Sequence, residues 1–222
     1  MTYYAIFDLD ETILKGKSMA EIIPHFYRES STFRWVSWLK TAFFMSKLHR
    51  MKNKNADRLA LNAYYYSLFK HIKQNNMQAA CKSWFEKKRN QQGFFNTTVI
   101  QAMKEHQKNG AITVIVSGSF QDCVYPIAEF LGVPVVLSTQ LEVKEGVYTG
   151  KILGGQVIEQ GKVIVIEKFL AENPGGSMKN SYGYADDVSD IGMLSLTENP
   201  HVVGANPELL AFAKKNNWTI IN

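Results

Sequence analysis

The chain of 222 residues has two cysteines and six prolines, and its sequence contains no long apolar stretch without a charged residue. Cys81 and Cys123 are too few for a disulfide framework or a metal cluster, and such scarcity is typical of a reducing compartment. No uncharged apolar stretch reaches the roughly 18 residues of a membrane-spanning helix. The first apolar run is short and meets carboxylates at once, so no signal peptide is predicted. We therefore expect a cytoplasmic protein.

Acidic residues are scarce in one part of the chain. Residues 16–95 contain 15 Lys and Arg against 4 Asp and Glu, whereas the remainder contains 10 basic and 16 acidic residues. This asymmetry indicates two parts with separate roles. The basic part is expected to be either a solvated helical surface or a surface that attracts anions.

Strand-like and helix-like segments alternate after residue 96. Strands are predicted at 3–9, 112–116 and 133–139, in a hairpin over 141–152, and near 181–185, 200–205 and the carboxyl terminus. Helices are predicted between them, and the chain is helical in character from Met19 to Gln92. The alternation predicts an α/β fold with a mostly parallel sheet. We expect residues 1–15 and 96–222 to form the sheet domain, and residues 16–95 to be an inserted α-helical domain.

Polar residues follow three of the predicted strands, and the carboxyl ends of parallel strands meet where ligands bind. The first strand ends in DLDET, in which Asp8 and Asp10 share one face and repel each other unless a cation or proton compensates. Carboxylates from two strands can hold Mg²⁺. Ser117, the Gly118 N–H and Lys162 can hold an anion beside it. A cation site beside an anion site predicts phosphoryl transfer.

These motifs resemble those of the haloacid dehalogenase superfamily. DLDET is similar to its first motif, IVSGS to its second, Lys162 to its third and YADDVSD to its fourth. The stretches LGVPVVLSTQLEVKEGVYTGKI and ANPELLAFAKKNNWTI are similar to the phosphoserine-phosphatase-like branch, subfamily IB. The resemblance covers essentially all of the predicted sheet domain. It implies a Rossmann-like core, with residues 16–95 as the inserted helical cap.

The resemblance also implies a role for each motif residue. Asp8 would be the nucleophile that forms an aspartyl-phosphate, and Asp10 would protonate the leaving alcohol and then activate water. Mg²⁺ would bind Asp8, the backbone carbonyl of Asp10 and Asp186, and Asp190 would complete or orient these ligands. The residues expected to bind phosphate are Thr12, Ser117, Gly118 and Lys162.

Several positions depart from the pattern of this branch. Asp187 adds a carboxylate next to Asp186, so either residue is a candidate metal ligand, with Asp186 favoured. Glu11 stands where many members have glycine, and Ser189 replaces a commoner asparagine. Lys168 is an alternative to Lys162, which is favoured because it follows Gly161 and opens a helix.

The helical segment, residues 16–95, is expected to select the leaving group. Between Phe33 and Arg50 it contains five aromatic residues. This stretch is either a buried cap helix or an apolar, basic surface that meets a lipid phosphate or an anionic membrane. Lys15 and Lys17 are expected near the mouth of the site, where they would bind an anionic substrate.

The leading hypothesis is a Mg²⁺-dependent phosphomonoesterase that hydrolyses a small or amphipathic phosphate monoester. Phosphoserine, histidinol phosphate and lysophospholipids are the candidate substrates within the branch. One alternative is a phosphotransferase or mutase that passes the aspartyl-phosphate to another alcohol. Another is a nucleic-acid-binding protein that uses the basic helical segment. That alternative leaves the carboxylates at the strand ends unexplained, so no nucleic acid partner is expected.

Overall fold

The computed structural model describes residues 2–30, 34–53, 57–173 and 177–221, without the side chains of residues 34–38, 40, 41 and 52. The strands in these ranges are β1 (Tyr3–Asp8), β2 (Ile112–Phe120), β3 (Val135–Lys144), β4 (Val147–Leu153), β5 (Ser177–Ala185), β6 (Asn199–Val203) and β7 (Thr219–Ile221). The helices are α1 (Ser18–Ser30), α2 (Arg34–Asn53), α3 (Arg58–Ser67), α4 (Gln74–Lys88), α5 (Thr97–Lys108), α6 (Gln121–Leu131), α7 (Gln160–Glu172), α8 (Ile191–Ser195) and α9 (Pro207–Lys215).

The strands form one sheet in the order β4-β3-β2-β1-β5-β6-β7. Neighbouring strands are parallel except β3 and β4, which are antiparallel. The central strand β1 is buried along nearly its whole length, which explains its continuous apolar sequence. The predicted α/β fold with a mostly parallel sheet is confirmed. Because β1 lies between β2 and β5, the polar residues that follow these strands meet at one edge.

Three predicted elements differ from the structure. The strand predicted at 133–139 and the first strand of the hairpin are one strand, β3, which pairs first with β2 and then with β4. No glycine or proline interrupts the chain where β3 changes partner, so one strand continues. The hairpin turn lies at Glu145 and Gly146, as predicted, and both have positive φ. Strand β2 extends to Phe120 instead of ending at Val116, and the short helix α8 was not predicted.

Helices α1 to α4 occupy the helical segment between β1 and α5. The chain leaves and re-enters the sheet domain side by side, because the Lys15 N–H donates to the Phe94 carbonyl and the Asn96 N–H donates to the Ile13 carbonyl, both at 2.9 Å. We call these two stretches, 13–18 and 91–96, the crossings. In the described part of the chain, no helix combines the length and apolarity needed to cross a membrane.

The helical segment packs on the β3–β4 hairpin and on β2. One hydrophobic cluster includes residues of both parts, and the rings of Phe69 and Phe120 are 4.8 Å apart. The turn after α3 is joined to β4 by two backbone hydrogen bonds: the His71 N–H donates to the Tyr148 carbonyl, and the Tyr148 N–H donates to the Ile72 carbonyl. The helical segment is thus held over the edge where the strand ends meet.

Candidate active site

A buried group of carboxylates lies at the carboxyl ends of β1 and β5. Asp8 is the last residue of β1, Asp186 follows β5, and Asp190 ends the single 3-10 turn after it. Each offers one carboxylate oxygen, and these three oxygens lie within 4.8 Å of one another. We call these three residues the acidic cluster. Sequence reasoning named all three, and the parallel order of the strands brings them together.

Lys162, in the first turn of α7, enters the acidic cluster. Its Nζ lies 2.5 Å from an Asp8 oxygen and 2.6 Å from an Asp190 oxygen, and its side chain is 3% exposed. A Cβ on the preceding Gly161 would lie 2.0 Å from the Gln156 carbonyl oxygen, so only glycine allows this turn to approach that loop. The alternative, Lys168, is 73% exposed and lies 3.9 Å from Glu172. Of the two lysines, Lys162 is therefore the one at the site.

Burial controls the electrostatics of the acidic cluster. It raises the pKa of Asp8 to about 6, against the opposing attraction of Lys162. Burial also raises the pKa of both Asp186 and Asp190 to about 6. Burial lowers the pKa of Lys162, but the charges of Asp8 and Asp190 outweigh it, so its pKa lies above the usual value. Three carboxylates against one ammonium leave an excess of negative charge when all are ionised.

The donor set of the acidic cluster fits a hard divalent cation. Mg²⁺ prefers carboxylate oxygens, and the cluster offers three of them at close range. Lys162 supplies one positive charge, which cannot balance the three carboxylates when all are ionised. Buried charge without a partner is costly, and a divalent cation would supply the missing positive charge. The residues present therefore suit Mg²⁺.

The carboxylate of Asp10 has separate partners from those of the acidic cluster. It accepts hydrogen bonds from the Ser18 N–H at 2.9 Å, and from the Ser18 and Ser119 hydroxyls at 3.2 Å each. The two hydroxyls are 2.7 Å apart. Burial raises the pKa of Asp10, although these hydrogen bonds oppose the rise. Asp10 is thus held by one serine from the start of α1 and another from the end of β2.

Sequence reasoning missed the role of these two serines. Ser119 is the last residue of the IVSGS motif, next to Ser117 and Gly118. The motif predicts its position at the end of a strand, but not its hydrogen bond to Asp10. Ser18 opens α1 with the pattern S-x-x-E, a helix-start signal. Its contact with Asp10 arises because the chain turns back on itself between them, which this pattern does not encode.

Of the residues predicted to bind phosphate, Thr12 and Lys162 contact the acidic cluster, and Ser117 and Gly118 lie on the neighbouring strand. The Thr12 hydroxyl donates to an Asp186 oxygen at 2.8 Å, so it orients that carboxylate. Asp8 pairs with Val116 across β1 and β2, which brings the buried Ser117 to the neighbouring position. A Cβ on Gly118 would lie 2.6 Å from the Ile158 side chain, so glycine is needed for this close approach.

Asp187 lies outside the acidic cluster, and its side chain is 42% exposed. It accepts a hydrogen bond from the Ser189 N–H at 3.0 Å and lies 3.6 Å from the Arg58 guanidinium. Arg58, at the start of α3, also donates to the Ser189 hydroxyl at 2.8 Å. The Ser189 hydrogen bonds and Arg58 together hold the pKa of Asp187 below its ordinary value despite partial burial. Sequence reasoning did not single out Arg58, which is one of many basic residues in its segment.

The two lysines expected at the mouth lie on the first crossing. Lys17 lies 3.0 Å from Glu11, and its charge acts on Asp187 in the loop beside Asp186. Both lysines line a cavity of about 170 Å³ beside the crossings, with Trp84 and Lys88 of α4 on its other side. Lys15 and Lys17 lie in the first crossing, residues 13–18, and this explains why they line the cavity. Their binding of substrate stays a prediction.

The mostly parallel sheet has a buried lysine and a group of carboxylates at its carboxyl edge, which is where open α/β folds bind their ligands. Residues 5–195 match the haloacid dehalogenase-like hydrolase family, so the chain belongs to that family. The resemblance seen in the motifs is confirmed.

Curated relatives match part of the chain. A histidinol-phosphatase of Neisseria meningitidis is 30% identical over 125 residues, which are 54% of this chain and 55% of that protein. A phosphoserine phosphatase of Methanocaldococcus jannaschii is 31% identical over 93 residues, 42% of this chain and 44% of that protein. The chain thus spans about half the length of the curated relatives it matches.

Solved structures match the chain along its whole length. A protein of unknown function from Bordetella pertussis has a TM-score of 0.85 at 21% identity, covering 100% of this chain and 99% of that one. A substrate-bound phosphoserine phosphatase has a TM-score of 0.67 at 19% identity, covering 100% and 93%. At these identities the likeness shows the fold.

Proposed function

We propose that this chain is a Mg²⁺-dependent phosphatase that hydrolyses a small or amphipathic phosphate monoester through an aspartyl-phosphate. The observation that carries the proposal is the buried ammonium of Lys162, which lies 2.5 Å from Asp8 and 2.6 Å from Asp190. It lies within the acidic cluster, whose three carboxylates suit a divalent cation. The names of the histidinol-phosphatase and phosphoserine phosphatase relatives support a phosphate monoester as substrate.

In the first half of the reaction, an Asp8 oxygen attacks phosphorus and the bond between phosphorus and the ester oxygen breaks. The leaving oxygen takes a proton from Asp10 and departs as an alcohol. Lys162 favours the ionised form of Asp8, against the effect of burial on its pKa. When bound, Mg²⁺ offsets the negative charge of the phosphoryl oxygens. The raised pKa of Asp10 suits a group that must hold a proton near neutral pH.

In the second half, Asp10 accepts a proton from water, and the water oxygen attacks the phosphorus of the aspartyl-phosphate. The bond between Asp8 and phosphorus breaks, which releases inorganic phosphate and restores both carboxyl groups. Ser18 and Ser119 hold Asp10 at the place where both proton transfers occur. Thr12, Ser117, Gly118 and Lys162 are the groups proposed to bind the phosphoryl oxygens.

We infer that residues 16–95 act as a cap that excludes water and contacts the alcohol part of the substrate. Helix α3 supports this inference, because Arg58 reaches the loop beside Asp186 and the Leu59 carbonyl accepts a hydrogen bond from Gln156 of the sheet domain. Exclusion of water strengthens electrostatic interactions at the site and protects the aspartyl-phosphate from uncontrolled hydrolysis.

The test is an assay of phosphate release from phosphoserine, histidinol phosphate, a lysophosphatidic acid and an aryl phosphate. We expect turnover with Mg²⁺ and none with EDTA. Asp8→Asn should lower the rate by about 10³-fold or more, because it removes the nucleophile. Lys162→Met should also abolish most activity, whereas Lys168→Met is the matched control and should retain it. Full activity of Asp8→Asn would show that the proposed mechanism is wrong.

A further inference from the structure

The outward surface of α2 displays apolar side chains to solvent. Phe44 is 2% exposed and packs against the rings of Tyr64 and Tyr65. The exposed fractions of Leu39 and Phe43 are 49% and 72%. At 100° per residue, Leu39, Phe43 and Arg50 lie on the opposite side of the helix from the inward-facing residues Phe44 and Leu48. Helix α2 is therefore anchored on one side and apolar on the other.

The charge around this surface has one sign. No acidic residue occurs between Glu29 and Asp57. Six basic residues occur in the same interval: Arg34, Lys40, Lys47, Arg50, Lys52 and Lys54. Lys47 and Arg50 are exposed, and the Lys47 ammonium lies 4.3 Å from the centre of the Tyr64 ring, which holds it beside the helix. An exposed apolar strip is thus accompanied by unopposed positive charge. The side chains of Trp35 and Trp38, two of the five aromatic residues noted in the sequence, lie outside the described residues.

We propose that the face formed by Leu39, Phe43 and Arg50, here called the outer face, docks on an anionic lipid bilayer, with Lys47 at its border. Apolar side chains enter the boundary between headgroups and acyl chains, while Lys and Arg remain with the anionic headgroups. Nucleic acid would engage the lysines and arginines, but it offers no apolar layer for an aliphatic side chain such as Leu39. An acid-free helix that exposes Phe and Leu among basic residues therefore fits a bilayer better.

Docking through the outer face does not use the contacts that α3 makes beside the acidic cluster. Helix α2 packs against α1 and α3, and α3 carries Arg58, which contacts the loop beside the acidic cluster. The inward face of α2, with Phe44, is turned to α3, so the outer face is on the side away from that packing. The docking proposal does not depend on hydrolysis, because the contacts are confined to the surface of α2.

The test is co-sedimentation of the whole chain with vesicles of phosphatidylcholine alone, or of equal parts phosphatidylcholine and phosphatidylglycerol. We expect binding to the anionic vesicles that falls as salt rises, and none to the neutral ones. Replacing Lys47 and Arg50 by Gln should weaken binding by about fivefold for each residue, or about 25-fold together. Replacing Leu39 and Phe43 by Ser should weaken it by about tenfold or more.

Matched controls come from the sheet domain. Leu153→Ser removes an equally exposed apolar side chain, and the double variant Lys214→Gln and Lys215→Gln removes two exposed charges of α9. Both controls should bind like the wild type, and thermal unfolding should show that every variant is folded.

Lack of binding to anionic vesicles, or equal weakening in the controls, would overturn the proposal. Binding to RNA in place of vesicles, lost on replacing Lys47 and Arg50, would overturn it in favour of a nucleic-acid surface. Vesicle binding is measured without turnover, so this outcome is independent of the phosphatase assay.

Discussion

Without the divalent cation, the acidic cluster should destabilise the folded protein more at pH 8 than at pH 5. Without the cation, burial raises the pKa of Asp8, Asp186 and Asp190 from 3.8 to about 6. The folded chain then retains protons between about pH 4 and pH 6 that the unfolded chain releases. The contribution of these three carboxyl groups to the free energy of unfolding is therefore most favourable below this window and falls as the pH rises through it. One such carboxyl taken alone contributes about 3 kcal/mol, and the three share one site, so their effects are not additive.

Mg²⁺ should reverse this loss, because it binds the ionised carboxylates and competes with protons. At a concentration of about 100 times the dissociation constant, the gain is about 2.7 kcal/mol, or roughly 5 to 10 °C in the unfolding temperature of a chain of this length. The assay is thermal unfolding followed by circular dichroism at pH 8 and pH 5, with Mg²⁺ or EDTA. We expect a large Mg²⁺ shift at pH 8 and a small one at pH 5.

Two carboxamide variants identify the carboxylate responsible. Asp186→Asn should remove most of the Mg²⁺ shift at pH 8, whereas the neighbouring Asp187→Asn should retain it, because Asp187 lies outside the acidic cluster. An equal Mg²⁺ shift at both pH values would refute the argument from burial. If Asp187→Asn lost the Mg²⁺ shift and Asp186→Asn retained it, Asp187 would be the metal ligand and our assignment of Asp186 would be wrong.

Substitutions at three further positions test individual contacts. Gly118→Ala should lower the free energy of unfolding by about 1 to 3 kcal/mol in denaturant titrations, since its Cβ would lie 2.6 Å from the Ile158 side chain, and wild-type stability would contradict this. At Glu11, where φ is 64°, the Gly variant should be more stable than the Ala variant by about 1 kcal/mol, the reverse of the usual order; both lack the ion pair, so the difference isolates the backbone. Arg58→Ala should raise KM by up to about fivefold with little change in stability, because it removes exposed contacts to the loop at Asp187, and high salt should shrink the difference between wild type and variant.

The sheet and the acidic cluster were predictable because both depend on local patterns. Apolar runs that end in Asp8 and in Asp186 each indicate a buried strand with a polar end, and parallel order then requires the ends to meet. Lys162 was predictable in the same way, since Gly161 marks the tight start of a helix. These signals lie within a few residues of the side chains they place.

Contacts between distant segments were not predictable from local patterns. Arg58 meets Ser189 across 131 positions of the chain, and Ser18 meets Ser119 across 101. Neither pair carries a distinctive spacing, because the path of the helical segment over the sheet decides which surfaces meet. Glu11 is an intermediate case: glycine in many family members hinted at a left-handed backbone, and the positive φ of this residue explains that preference.

The two backbone hydrogen bonds between Tyr148 and the turn after α3 attach the helical segment firmly to the sheet. Main-chain bonds do not yield to the rotation of a side chain, and the paired crossings form a second fixed attachment. These two attachments fix one side of the helical segment to the sheet. The amino end of α3 is joined to the sheet domain through side chains: Arg58 contacts Asp187 and Ser189, and Gln156 donates to the Leu59 carbonyl. Exposed side-chain contacts of this kind break at lower cost than main-chain bonds beside a hydrophobic cluster, so the amino end of α3 is the more weakly held end of the helical segment.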